Sequence, residues 1–184
     1  MTTYRRATRE TQITLSLALG GATAESAHVQ TGEPFLDHML ITLARYAGLR
    51  LEITATGDLR HHLIEDVAIT LGLALKDAIP EACGRYGHTV LPMDDALVEA
   101  AVDVGGRSYY AGRLPSSLYE HFLRSLAENA GITLHVRVLR GRDRHHVVEA
   151  AFKATALALR QAMDATQDVF STKGVVKIER EGHA

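Results

Sequence analysis

The sequence predicts an α+β fold built from two copies of one ββαβα unit, and three observations predict it. Short runs of alternating polar and apolar residues are separated by runs with helical spacing. The order of these runs repeats halfway along the chain, and the repeat carries matched histidines, glycines and glutamates. Coincident amphipathicity could match Leu and Ala, but it has no reason to match His, Gly and Glu.

Gln12 to Leu19 alternates and then meets Gly20-Gly21, which reads as a half-buried strand and a turn. His28 to Thr31 is a weaker partner strand. From Phe35 to Ala47, the residues Phe35, Leu36, Met39, Leu40 and Leu43 fall at helical spacing, and Gly48 stands where a C-terminal cap belongs. His38 lies in the first turns of this helix. Leu49, Leu51 and Ile53 alternate with Arg50, Glu52 and Thr54, a third strand closed by Gly57-Asp58, and His61 to Ile79 is a second helix stopped by Pro80.

The second half follows the same order. Val98 to Val104 alternates into Gly105-Gly106, Ser108 to Gly112 returns, Ser117 to Ala130 is helical around His121, Ile132 to Val138 alternates, and His145 to Met163 is helical again. His38 recurs as His121, Leu43 as Leu126, Gly48 as Gly131 and Leu51 as Leu134. After one inserted residue near Arg140, Gly57 recurs as Gly141, Arg60-His61-His62 as Arg144-His145-His146, Glu65 as Glu149 and Leu75 as Leu159. A half-size unit cannot easily cover its own apolar sheet face and helix stripes. The two repeats, about residues 6–84 and 85–174, are therefore expected to pack about a pseudo-twofold axis into a single domain.

With 184 residues, 46% of them hydrophobic and 23% charged, the chain has the composition of a folded globular domain and not of a disordered one. A formal net charge of −2 leaves no face-sized basic excess for nucleic acid. The opening Met1 to Arg6 leads into no apolar segment and no run approaches the length of a membrane span, so a cytoplasmic protein is expected. Cys83 is the only cysteine, which excludes an intrachain disulfide and a thiolate zinc knot and leaves it as a small packed residue. Ten histidines direct attention to imidazole chemistry.

On a helix, residues four apart share a face and neighbours diverge by about 100°. His61 and Glu65 can therefore grip one ion while His62 looks elsewhere, and the same holds for His145 with Glu149 and for His146. Adding His38 and His121 gives six His and two Glu, enough for two sites of four protein ligands each. Imidazole and carboxylate without sulfur suit manganese, iron or zinc, and an octahedral ion would keep positions open for substrate. Pseudo-symmetry suggests one site from His38, His61, Glu65 and His146, and the other from His121, His145, Glu149 and His62. Glu near a helix start is favoured by the dipole alone, but two copies at equivalent positions, each preceded by a His-bearing helix, favour metal.

Arg85, Arg107, Lys153 and the Ser171-Thr172-Lys173-Gly174 stretch are candidates for holding an anion, although Arg and Lys are mostly solvated. Lys153 is the exception, because it lies one turn beyond Glu149 on the same helix face. His28, His88, His135 and His183 have no repeat partner and no carboxylate at ligand spacing, so they read as structural or surface residues.

The motifs Phe35-Leu36-Asp37-His38-Met39, His61-His62-Leu63-Ile64-Glu65-Asp66, Pro92-Met93-Asp94-Asp95-Ala96-Leu97 and His145-His146-Val147-Val148-Glu149-Ala150, with Arg85-Tyr86-Gly87, Asn129 to His135 and Ser171 to Gly174, resemble the imidazoleglycerol-phosphate dehydratase family from about Arg6 to Gly174. The resemblance implies two fused half-units of the ribosomal protein S5 domain 2-like type, a di-manganese site, and trimers assembled into a 24-subunit shell with active sites between subunits. It implies the dehydration of D-erythro-imidazoleglycerol phosphate to imidazole acetol phosphate in histidine biosynthesis. The eight residues inferred above coincide with the family's metal-binding positions, Arg85, Arg107, Lys153, Ser171 and Lys173 with its phosphate-binding positions, and Glu10 with an acidic residue of its active site. Glu10 is the nominee for acid/base work beside the metal-gripping Glu65 and Glu149.

The chemistry needs such a site, because the proton to be lost is not activated by a carbonyl. Two Lewis acids at the ring nitrogens would let an electron-rich ring expel the side-chain hydroxyl. Gly57-Asp58-Leu59-Arg60 runs into the His pair without the extra acidic residues many members carry, and no attached phosphatase domain is expected. The rival chemistry is a di-metal phosphatase or hydrolase using the same ions to activate water, and ligand spacing alone does not separate the two. A second rival is a non-catalytic assembly protein whose metals only join subunits.

Overall fold

The computed structural model describes residues 1–20, 27–167 and 170. Its elements run β1 (Thr2–Ala7), β2 (Thr11–Leu19), β3 (Ala27–Gln30), α1 (Pro34–Ala47), β4 (Leu49–Gly57), α2 (Arg60–Ala78), β5 (Tyr86–Met93), β6 (Ala96–Asp103), β7 (Tyr109–Gly112), α3 (Ser117–Ala130), β8 (Thr133–Arg140) and α4 (Arg144–Ala162). The strands form two four-stranded sheets of identical plan, β1-β2-β4-β3 and β5-β6-β8-β7. In each, three strands are antiparallel and the short fourth is parallel to its neighbour, joined to it through the His-bearing helix.

The α+β class and the duplicated half-units are as the periodicity predicts, but each half has one strand more than predicted. The additional strands, β1 and β5, each stand at one edge of their sheet, opposite β3 and β7. An edge strand is covered on one face only in part, so it lacks the strict alternation that exposes a strand to pattern reading. In β1 no residue is fully buried, and in β5 only Gly87 and Leu91 are.

Each sheet turns one face to its own two helices. Ile13, Leu15 and Leu17 of β2 and Leu49, Leu51, Ile53 and Ala55 of β4 point inward, answered in the second sheet by Val98, Ala100, Val102, Leu134 and Val136. The helices meet one another in the middle, α1 against α4 and α2 against α3, so the order of layers is sheet, helices, helices, sheet. One continuous apolar core runs through both halves. That cross-pairing is the exchange a pseudo-twofold relation requires.

Two glycines permit the close approaches. A Cβ on Gly72 of α2 would come within 2.8 Å of Asn129 Cβ and Leu126 O of α3, and one on Gly87 would collide with the Ala158 backbone of α4. α1 and α3 end on Gly48 and Gly131, at φ 74° and 69°, left-handed values that glycine adopts without penalty. Cys83 is buried and pairs as an isolated bridge with Ala165. No helix among the described residues is long and apolar enough to cross a membrane.

Candidate metal centre

Because α1 crosses α4, His38 meets the first turn and a half of α4, where His145 and Glu149 stand one above the other. His38 Nε2 lies 3.4 Å and His145 Nε2 3.1 Å from the same oxygen, Glu149 Oε2, and the two rings stack with centroids 6.0 Å apart. Because α2 crosses α3, the other half repeats the arrangement. His61 Nε2 is 3.5 Å from Glu65 Oε2 and His121 Nε2 is 3.2 Å from Glu65 Oε1, with the rings 5.3 Å apart. In each cluster the three ligand atoms lie within 4.8 Å of one another.

This grouping differs from the partition suggested by the sequence, which placed His38 with Glu65 and His121 with Glu149. Within one chain His38 joins His145 and Glu149, and His121 joins His61 and Glu65. The reason is packing: the loops within each half send its two helices to the same sheet, while the apolar stripes that remain pair each helix with one from the other half.

His62 and His146 belong to neither cluster. Their rings stand at 83° and 86° to those of His61 and His145, and adjacent residues on a helix leave it in directions about 100° apart. His62 Nδ1 lies 2.9 Å from Asp58 and 3.6 Å from Glu10, and His146 Nδ1 lies 2.8 Å from Asp95, with its Nε2 3.4 Å from Asp94. The hydrogen bonds to Asp58 and to Asp95 raise the pKa of each imidazole above its ordinary value. Asp95 falls to about 2, held first by the backbone N–H of Arg142 and then by His146 and the N–H of Asp143.

Glu10 and Asp95 are equivalent, each ending the turn before the inner strand of its sheet. The turn that carries Glu10 is pinned by the buried Asp66, which accepts from Arg6 Nη2 at 2.9 Å and from the Thr11 hydroxyl. Asp58, Asp94 and Asp95 escaped the sequence reading. Glu10 stands just before β2 as Asp95 stands just before β6, an offset of 85 where His38 and His121 have 83, so extending the repeat back at constant spacing misses the pair.

Of the anion candidates among the described residues, only Lys153 joins a cluster, its Nζ 2.7 Å from Glu149 Oε1. Burial works against both charges, but the hydrogen bond between them prevails, so the Glu149 carboxyl titrates lower and the Lys153 ammonium higher than usual. Arg85, at φ 67°, is gripped by Asp103 at 2.9 Å, and Arg107 is exposed. Ser171, Lys173 and His183 lie outside the described residues. His88 pairs with Glu99 and His135 packs on Tyr109, and both side chains lie away from the clusters.

The donors fit divalent cations. His121 Nε2 is buried without a hydrogen-bond partner although it faces Glu65, as expected of a lone pair reserved for an ion. Each cluster offers nitrogen and carboxylate oxygen without sulfur, a set that suits manganese, iron or zinc.

Comparison with known proteins agrees with this architecture. Residues 31–159 match the family model for imidazoleglycerol-phosphate dehydratase. Among curated proteins, the imidazoleglycerol-phosphate dehydratase of Methanoculleus marisnigri is 48% identical, over 92% of this chain and 95% of its own length. That of Thermus thermophilus is 45% identical, over 95% and 98%. The crystal structure of IGPD from Pyrococcus furiosus superposes with a TM-score of 0.83 at 41% identity, covering 94% of this chain and 100% of that one. The enzyme from Staphylococcus aureus gives 0.80 at 35%, covering 89% and 98%. With most of its length matched at such identity, and with the same fold, the chain belongs to the imidazoleglycerol-phosphate dehydratase family.

Proposed function

We propose that this chain is a hydro-lyase that dehydrates D-erythro-imidazoleglycerol phosphate to imidazole acetol phosphate in histidine biosynthesis. The observation that carries the reading is the pair of reciprocal His-His-Glu clusters in a chain of this family. Nothing in the comparisons favours the phosphatase alternative. The chain would work as one catalytic domain of two repeats, about residues 6–84 and 85–174, in the cytoplasm.

Two divalent ions per subunit, manganese first, would be held by His38, His145 and Glu149 and by His61, His121 and Glu65. When bound, such ions supply Lewis acidity at the two nitrogens of the substrate ring. The chain does the rest. Lys153, Arg85, Arg107, Ser171 and Lys173 would hold the phosphate and so fix the ring against the clusters, lowering the entropy cost of reaction. Glu10, beside His62 on a turn pinned by Asp66, would take the proton from the carbon next to the ring-bearing one and protonate the departing hydroxyl, which leaves as water. The resulting enol becomes the ketone. Glu65 and Glu149 would act by orienting their clusters.

Each cluster has three donors from one chain, while His62 and His146 face away with carboxylates of their own. We assign these two imidazoles to the sites of neighbouring copies, which supports assembly of trimers into a 24-subunit particle. The activity test is to incubate the manganese-loaded protein with imidazoleglycerol phosphate. Imidazole acetol phosphate is the expected product, and Glu10→Gln should lower kcat at least 100-fold while leaving bound manganese unchanged. Release of inorganic phosphate without ketone would establish the hydrolase instead.

A further inference from the structure

The two clusters are related by the repeat, yet they are not chemically equal. At the repeat position one turn beyond the glutamate, α4 has Lys153 and α2 has Ile69. Lys153 Nζ holds Glu149 Oε1 at 2.7 Å, and both imidazoles of that cluster, His38 and His145, face the other oxygen, Oε2. Glu149 therefore has one oxygen left to offer, and its charge is already matched by an ammonium. In the other cluster His61 faces Glu65 Oε2 and His121 faces Oε1. No cation is bound to Glu65 among the described residues, so both of its oxygens and its full charge remain available.

Burial separates the sites further. The Glu149 side chain is 8% exposed and that of Glu65 is 35% exposed. Lys153 is fixed where it stands by the Met93 sulfur at 3.2 Å and the Tyr46 ring at 5.5 Å, so it cannot simply swing away when a cation arrives. A positive charge held beside a poorly solvated carboxylate opposes a divalent ion strongly, because water screens the pair weakly there.

We infer that the two metal sites have unequal affinity and fill in order, the Glu65 cluster first and the Glu149 cluster second, and that Lys153 is the residue that makes them unequal. This rests on the reading of both clusters as metal sites. Lys153 is then a positioning residue towards the metal as well as an anion candidate: it occupies the oxygen that would otherwise make Glu149 as good a ligand as Glu65.

The test is a titration of the chelated protein with manganese alone, reading free aqueous manganese by electron paramagnetic resonance and heat by calorimetry, without substrate. The wild type should show two classes of equal stoichiometry at least tenfold apart in Kd. Glu65→Gln should remove the tighter class and Glu149→Gln the weaker. Lys153→Met should tighten the weaker class until the two merge, and Ile69→Lys, which places the same ammonium beside Glu65, should loosen the tighter class instead. The Ile69→Lys arm keeps the test decisive if Lys153→Met unfolds, which a thermal melt reveals. A single class in the wild type, or classes unmoved by both Lys153→Met and Ile69→Lys, overturns the inference. Manganese binding undiminished by both Glu65→Gln and Glu149→Gln overturns the metal-site reading itself.

Discussion

At the level of single residues, the two outward histidines, His62 and His146, are each held by a carboxylate outside the two clusters. His146 is held by Asp95, and Asp95 is held in turn by the backbone N–H groups of Arg142 and Asp143 at 2.6 and 3.2 Å. A carboxyl whose folded pKa is depressed stabilises the fold above its ordinary range, and that contribution is lost as pH falls towards the folded value. His146, with a raised pKa, contributes at low pH and loses its contribution as pH rises through the folded value. The difference in stability between the wild type and Asp95→Asn should thus be widest between about pH 4 and the ordinary imidazole range. It should close as pH falls from about 4 to about 2, and narrow without vanishing above neutrality, where the backbone N–H bonds persist. Urea midpoints of the metal-free proteins across that range check this.

At the level of elements, what brings His121 to Glu65 is the closeness of α2 and α3, and Gly72 sets that closeness. Alanine there would gain about 1 kcal/mol of helix propensity, yet its Cβ would stand 2.8 Å from Leu126 O and Asn129 Cβ and 3.0 Å from Ala130 N. Two of these three contacts are backbone, which cannot rotate aside, so overpacking at about 1–3 kcal/mol wins. Gly72→Ala should lower the melting temperature and weaken manganese binding at the Glu65 cluster more than at the Glu149 cluster. Equal weakening at both, read in the same titration, would mean that the α2–α3 distance does not control the ligand geometry.

At the level of the whole molecule, the clusters are open on the surface, with the His38, His61 and His145 side chains about half exposed. Metal that draws a fourth imidazole from another copy would couple loading to assembly. Chelation should therefore shrink the particle measured by light scattering, and His62→Ala or His146→Ala should prevent its recovery when manganese is restored. A mass indifferent to chelator and to both substitutions would mean that each site closes within one chain.

The sequence by itself determined the duplicated α+β plan, ten of the strands and helices to within a few residues, and the histidines and glutamates that the fold gathers into two clusters. These are recorded in local signals: alternation, helical spacing, capping glycines, and a His-His-x-x-Glu pattern that recurs. The edge strands β1 and β5 were not legible, because partial burial erases alternation. Nor was the sorting of ligands, because the repeat makes His38 and His121 equivalent in sequence and leaves their partners undetermined. Only the tertiary structure decided that α1 crosses α4 and α2 crosses α3, and with it that Lys153 stands in the cluster of His38 and not in that of His121. Periodicity says which face of a helix is apolar, but which other helix covers that face depends on how two sheets and four helices fill one volume.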